Sequence, residues 1–179
     1  MKRIVVISST YRKGGNSEVL AEKFAKGAKD AGNDVKMIHL RDLKVGYCIG
    51  CMSCLKTGKC ALRDDINEIL PIIKNAEVLV FATPVYYYSM SGQLKTFLDR
   101  LNPLYGQQIS FKQVYLLTSA AENSKSAMNG TISGIHGWID CFDGVKLSGV
   151  VYGIGADAVG AIYDTDAVNE AYEMGKSVR

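Results

Sequence analysis

Residues 4–17 read Ile-Val-Val-Ile-Ser-Ser-Thr-Tyr-Arg-Lys-Gly-Gly-Asn-Ser: four β-branched residues in a row, a turn of hydroxyls, cations and glycines, then the start of a helix. An unbroken apolar run has no side suited to water, so Ile4 to Ile7 predicts a strand covered on both faces, as in the middle of a parallel sheet. Val78 to Ala82 and Val114 to Leu117 repeat the pattern, Val35, Met37 and the residues to Leu40 supply another strand, and a last one is expected near Lys146 to Val151. Between the strands, Leu20, Phe24, Gly27 and Ala31 recur at helical spacing, as do Ile66, Ile69, Leu70 and Ile73, then Leu94, Phe97, Leu98 and Leu101. Met128, Ile132, Ile135, Ile139 and Phe142 form a fourth stripe, and a fifth helix is expected near Thr165 to Ser177. Each stripe marks a helix with one buried side.

Five strands alternating with five helices predict an α/β three-layer sandwich: a five-stranded parallel sheet with helices on both faces. A flavodoxin-like strand order, 2-1-3-4-5, is favoured. At 179 residues and 47% hydrophobic, residues 1–179 fit a single domain with a core of ordinary size. The net charge is +3 and no lysine or arginine run marks a nucleic-acid or membrane surface. No apolar stretch reaches the roughly 20 residues of a membrane span, and Met1-Lys2-Arg3 leads directly into a strand without a cleavage site, so a cytoplasmic protein is expected. Five cysteines in a reducing compartment argue for metal ligation or redox work rather than a disulfide framework.

Open α/β sheets bind ligands beyond the carboxyl ends of their strands. Ser8 to Ser17 is such a loop and suits a phosphate: backbone N–H groups at a helix start point at an anion, glycines allow close approach, and Arg12 can add charged hydrogen bonds. The plainer alternative is an N-cap by Asn16 or Ser17 beside solvated Arg12 and Lys13. Neither G-x-G-x-x-G nor the P-loop pattern is present, so a single terminal phosphate fits better than a dinucleotide or a nucleoside triphosphate. The second loop, Thr83 to Gly92, carries Tyr86, Tyr87 and Tyr88 at a strand end, where their rings and the amides after Pro84 suit a planar aromatic ligand while Ser89 and Ser91 cap the next helix. Thr118 to Asn123 borders the same crevice.

One connection, Arg41 to Arg63, is far longer than the roughly 2–6 residues usual between strand and helix, and loops of that size tend to be functional. It holds Cys48, Cys51, Cys54 and Cys60 in the spacing C-x2-C-x2-C-x5-C, which suits a metal centre; an iron–sulfur cluster, zinc and free thiols all stay open on spacing alone. Asp64 and Asp65 are expected at the start of the next helix, Asp65 forming a capping box with Glu68. Cys141 is expected in the core as a small hydrophobe. His39 and His136 have no partner at ligand spacing and read as structural, and Trp138 has no assigned role.

Ser-x-x-Arg-Lys-Gly-Gly-Asn-Ser near the start, Cys-Ile-Gly-Cys-Met-Ser-Cys, Asp-Asp-Ile, Thr-Pro-Val-Tyr and Gln-Leu-Lys-Thr-Phe-Leu-Asp-Arg together resemble the NADPH-dependent FMN reductase and iron–sulfur flavoprotein family over residues 1–120. The resemblance implies an FMN-dependent oxidoreductase fed by NAD(P)H. It gives the FMN phosphate to Ser9, Arg12, Asn16 and Ser17, the isoalloxazine to Pro84, Val85, Tyr86, Tyr87 and Ser89, and a [4Fe-4S] cluster to Cys48, Cys51, Cys54 and Cys60. Electrons would leave to a small-molecule or protein acceptor, through a homodimer or homotetramer. The Asp99-Arg100 pair of the motif reads as a structural ion pair. A cluster-free quinone, azo or nitro reductase is the alternative enzyme, and a non-catalytic flavin electron carrier the alternative of another class.

Overall fold

The computed structural model describes residues 1–179. Strand β1 (Arg3–Ser8) pairs in parallel with β2 (Asp34–His39) on one side and β3 (Val78–Tyr86) on the other. Beyond β3 lie β5 (Gln113–Ser119) and then β6 (Lys146–Gly153), both parallel, while a two-residue strand β4 (Ser89–Met90) folds back antiparallel on β3. With β4 set aside, the order β2-β1-β3-β5-β6 is the predicted 2-1-3-4-5.

Successive residues of β1 point to opposite faces, and the two faces build two cores. Val5, Ile7, Leu79, Phe81 and Leu116 pack against α3 (Ile66–Asn75), α4 (Gly92–Arg100) and α5 (Asn129–Ile139). Ile4, Val6, Val78, Val80 and Leu117 pack against α1 (Asn16–Asp30) and α6 (Ala167–Lys176). Trp138 belongs to the first core: its ring meets Phe81 edge-on, stacks on Phe111 at 5.9 Å and leans on Phe142 at 4.8 Å.

Several local expectations change. Strand β3 runs through Thr83-Pro84-Val85 to Tyr86 before turning at Tyr87 and Tyr88, so Ser89 pairs with Tyr86 and only Ser91 caps a helix, accepting from the Leu94 N–H. The long loop contains a short helix, α2 (Ser53–Thr57). No capping box forms at α3, because the Asp65 carboxylate is drawn away to the Lys44 N–H at 2.6 Å. Asp64 accepts from Ile66 N–H instead. Cys141 is exposed rather than buried, since α5 ends at Ile139 and the turn that returns Phe142 to the core leaves Cys141 outside.

Helices α1 and α6 touch backbone to backbone. A Cβ on Gly27 would collide with the Tyr172 carbonyl, and one on Gly175 with the Phe24 carbonyl. Overpacking of this kind costs about 1–3 kcal/mol, so Gly27→Ala is expected to lower unfolding stability by that amount in urea titration; an unchanged midpoint would refute the contact.

Candidate functional site

The carboxyl ends of β1, β3, β5 and β6 enclose a cavity of about 190 Å³. The first loop contributes Thr10, Arg12, Gly15, Asn16 and Ser17, β3 contributes Pro84, Val85 and Tyr86, and the loops after β5 and β6 contribute Ser119 to Ala121 and Ala156-Asp157. Six residues singled out from sequence meet here, together with the third loop. The turn itself requires glycine: a Cβ on Gly15 would lie 2.8 Å from the Arg12 carbonyl and 3.1 Å from the Thr10 hydroxyl, and Gly14 has φ +65°.

The donor set fits a phosphate. The Ser17 hydroxyl is buried without a hydrogen-bond partner, and as the first residues of α1 Asn16 and Ser17 present backbone N–H groups that have no acceptor in the helix. Arg12 is exposed, its guanidinium making one long contact, 3.5 Å, to the Asp157 carbonyl. Buried donors left without acceptors are costly unless a ligand supplies them.

Other expected residues sit differently. Asn16 spends its side chain on structure, donating to the Ala156 and Ala158 carbonyls at 2.9 Å and accepting from Gly160 N–H at 3.1 Å. Ser9 lies beneath the cavity, its hydroxyl donating to the Ala82 carbonyl and accepting from Ser91 Oγ at 2.9 Å. Tyr87 and Ser89 are outside the lining. Tyr87 and Tyr88 hold left-handed conformations, φ 50° and 60°, at the tip of the β3–β4 hairpin, with Tyr87 fully exposed. That turn shape normally selects asparagine and glycine, so the tip carries backbone strain. Gly130 of α5 supports it, lying so close to the Tyr88 carbonyl that no side chain fits between.

Sequence reading missed a buried ionic cluster beside the first loop. Glu18, on the first turn of α1, takes both Nη groups of Arg41 at 2.8 and 2.7 Å, accepts from the Gly14 N–H at 2.9 Å, and has His39 Nδ1 at 3.3 Å. The Arg41 hydrogen bonds, outweighing burial, hold the Glu18 carboxyl below its ordinary range. A glutamate at the third helical position followed by an arginine past the next strand was the only signal.

The four cysteines of residues 48–60 line one small pocket with Asp99, Arg100 and Asn102. No three His, Cys, Asp or Glu side chains stand close enough to hold a single metal ion. Two sulfurs accept hydrogen bonds: Cys60 Sγ from Arg100 Nη2 at 3.2 Å and Cys54 Sγ from Asn102 Nδ2 at 3.1 Å. Arg100 and Asp99 do not pair with each other. Asp99 pairs with Lys95, while the fully buried Arg100 grips Asp64 through two bonds of 2.7 and 2.8 Å and the Gly46 carbonyl at 2.7 Å.

Residues 2–141 match the family described as NADPH-dependent FMN reductase. The chain belongs to that family. An iron–sulfur flavoprotein of Archaeoglobus fulgidus is 35% identical over 115 residues, 64% of this chain and 51% of its own length. YwqN of Bacillus subtilis, named provisionally as an NAD(P)H-dependent FMN-containing oxidoreductase, is 31% identical over 180 residues and covers 96% of both chains. The solved Trp repressor binding protein of Bacillus subtilis superposes with a TM-score of 0.72 at 29% identity, covering 98% of this chain and 99% of its own. The chain spans about half the length of the iron–sulfur flavoproteins it first matches, 51% and 53%.

Burial alone would raise the Asp64 carboxyl, but Arg100 and the Gly46 and Ile66 amides together hold it below its ordinary range. Its stabilising contribution is thus complete above about pH 4 and is lost as pH falls through the depressed folded value. Asp64→Asn leaves Arg100 as a buried, unpaired cation, and a loss of about 3–5 kcal/mol is expected, with faster amide exchange across residues 41–63. Unchanged exchange in that loop would refute the role given to the pair.

Proposed function

We propose that this chain is an FMN-dependent NAD(P)H oxidoreductase that takes electrons from a nicotinamide donor and passes them to a small-molecule or protein acceptor, working in the cytoplasm as a homo-oligomer. The carrying observation is the cavity at the sheet's carboxyl edge, where unpartnered donors of the α1 start face the end of β3. Bound there, FMN would supply hydride acceptance from NAD(P)H and onward electron release. The chain's own residues bind, orient and shield. Ser17 Oγ, the Asn16 and Ser17 amides and the Arg12 guanidinium would take the phosphate, with Asn16's side chain and Ser9 holding the turn in shape from behind. Pro84, Val85 and Tyr86 would meet the ring, and Ser119 to Ala121 close the other side. The lining offers no histidine and no paired carboxylates, in keeping with chemistry carried by a cofactor.

The same reading gives Cys48, Cys51, Cys54 and Cys60 to a [4Fe-4S] cluster. The four thiols surround one pocket. The donors from Arg100 and Asn102 favour thiolate sulfur and are of the kind that tune a cluster's potential. The names of the iron–sulfur flavoprotein relatives support the assignment.

Anaerobically purified protein is expected to be coloured, to carry iron and sulfide at four each per chain if the [4Fe-4S] assignment holds, and to oxidise NAD(P)H with a small acceptor. Colourless protein that takes up no FMN in titration would defeat the proposal, and flavin without iron would leave the cluster-free reductase. Arg12→Ala is expected to weaken FMN binding by about 1.5–3 kcal/mol, the worth of a charged hydrogen bond. Equal affinity in calorimetry would remove Arg12 from the phosphate site.

A further inference from the structure

Glu18 presents a problem that the phosphate site must solve. Its carboxylate is nearly buried and bonded to the Gly14 amide, inside the turn that would grip an anion. A fixed negative charge there repels a phosphate, and the more so because little water screens it. Arg41 arrives from beyond β2 and covers both carboxylate oxygens, with its own side chain only 14% exposed. His39 Nδ1 stands at 3.3 Å from the same carboxylate, and Asp42 touches Arg41 Nε from outside at 3.9 Å. Arg41 is absent from the cavity lining, so it acts on a ligand only through Glu18 and the turn.

We infer that Arg41 is a specificity-positioning residue: by cancelling Glu18 it lets the turn keep the Gly14 hydrogen bond and still accept a phosphate, and so sets the preference for FMN over unphosphorylated riboflavin. The inference rests on the flavin reading above. It separates two jobs that one carboxylate would otherwise set against each other. Glu18 shapes the turn through a neutral backbone group, and Arg41 removes the electrostatic cost of having it there.

The test compares FMN and riboflavin affinities by calorimetry on the flavin-stripped full chain, at pH 8 and at low ionic strength. Arg41→Met is expected to lose about tenfold in FMN affinity with riboflavin unchanged, the size of a charge acting across a partly screened gap. Adding Glu18→Gln to it should restore the FMN preference to within about twofold, because the amide keeps an acceptor for Gly14 and carries no charge. Glu18→Gln alone should raise the preference, and Arg41→Lys should hold it; these two carry the test should Arg41→Met not fold. Equal losses for both flavins, no recovery in the double variant, or a preference lowered by Glu18→Gln would overturn the inference. Wild-type protein that binds neither flavin would instead overturn the flavin reading itself, and wild type that binds both equally would overturn the phosphate assignment.

Discussion

The working edge of this molecule hangs on the buried hydroxyl pair Ser9–Ser91. Where β1 ends at Ser8 beside Ala82 of the longer β3, the ladder between them stops and main-chain groups are left over. Ser9 answers with its amide and its hydroxyl, both donating to the Ala82 carbonyl, and its oxygen then receives the Ser91 hydroxyl. Ser91 in turn caps α4. One contact thus fixes the first loop, the end of β3, the hairpin and the start of α4 relative to one another. The unpartnered Ser17 hydroxyl at the α1 start and Pro84 to Tyr86 line one cavity above this anchor.

The cysteine loop is held by a different device. Twenty-three residues with little secondary structure need an ordering interaction from outside, since each fixed residue costs about 1–2 kcal/mol of backbone entropy. Arg100 provides it by bonding Gly46, Asp64 and Cys60 at once, from a side chain with no exposure to solvent. A buried guanidinium with a bidentate carboxylate is a geometric clamp more than a source of stability, because desolvation offsets most of its attraction. What it secures is the position of the Cys60 sulfur and of the loop at Gly46 and Asp64.

How far the sequence announced all this differs by kind of interaction. Sheet order, helix faces and the two glycine-bearing loops were legible because they follow from periodicity and from turn chemistry, both of which are local. The extension of β3 to Tyr86 was not, since Thr83-Pro84 looks like a strand stop; the proline is tolerated because the ladder ends there. Ser9 and Asn16 carried the right motif, but the structure spends their side chains on the scaffold, a distinction that depends on partners 73 to 146 positions away. The Glu18–Arg41 and Asp64–Arg100 pairs were invisible for the same reason: a charge reads as surface until its distant partner is known. Cys141 failed the other way, a helical stripe extended to Phe142, three residues past the true helix end at Ile139.

Helix α4 joins the two sites. Its first turn is anchored by Ser91 beneath the cavity and its last residue, Arg100, at the cysteine pocket, so nine residues rising about 1.5 Å each separate the anchors by about 14 Å. A groove of about 550 Å³ runs along this stretch, lined by Tyr11 of the first loop, Tyr47 of the cysteine loop, and Lys95 and Phe97 of α4. A helix is the stiffest short spacer a chain can make, whereas the loops it anchors are not. The separation between the cavity at the sheet edge and the sulfur pocket is therefore set by the element least able to vary. The exposed tyrosines Tyr11, Tyr47 and the strained Tyr87–Tyr88 tip all lie on the loops.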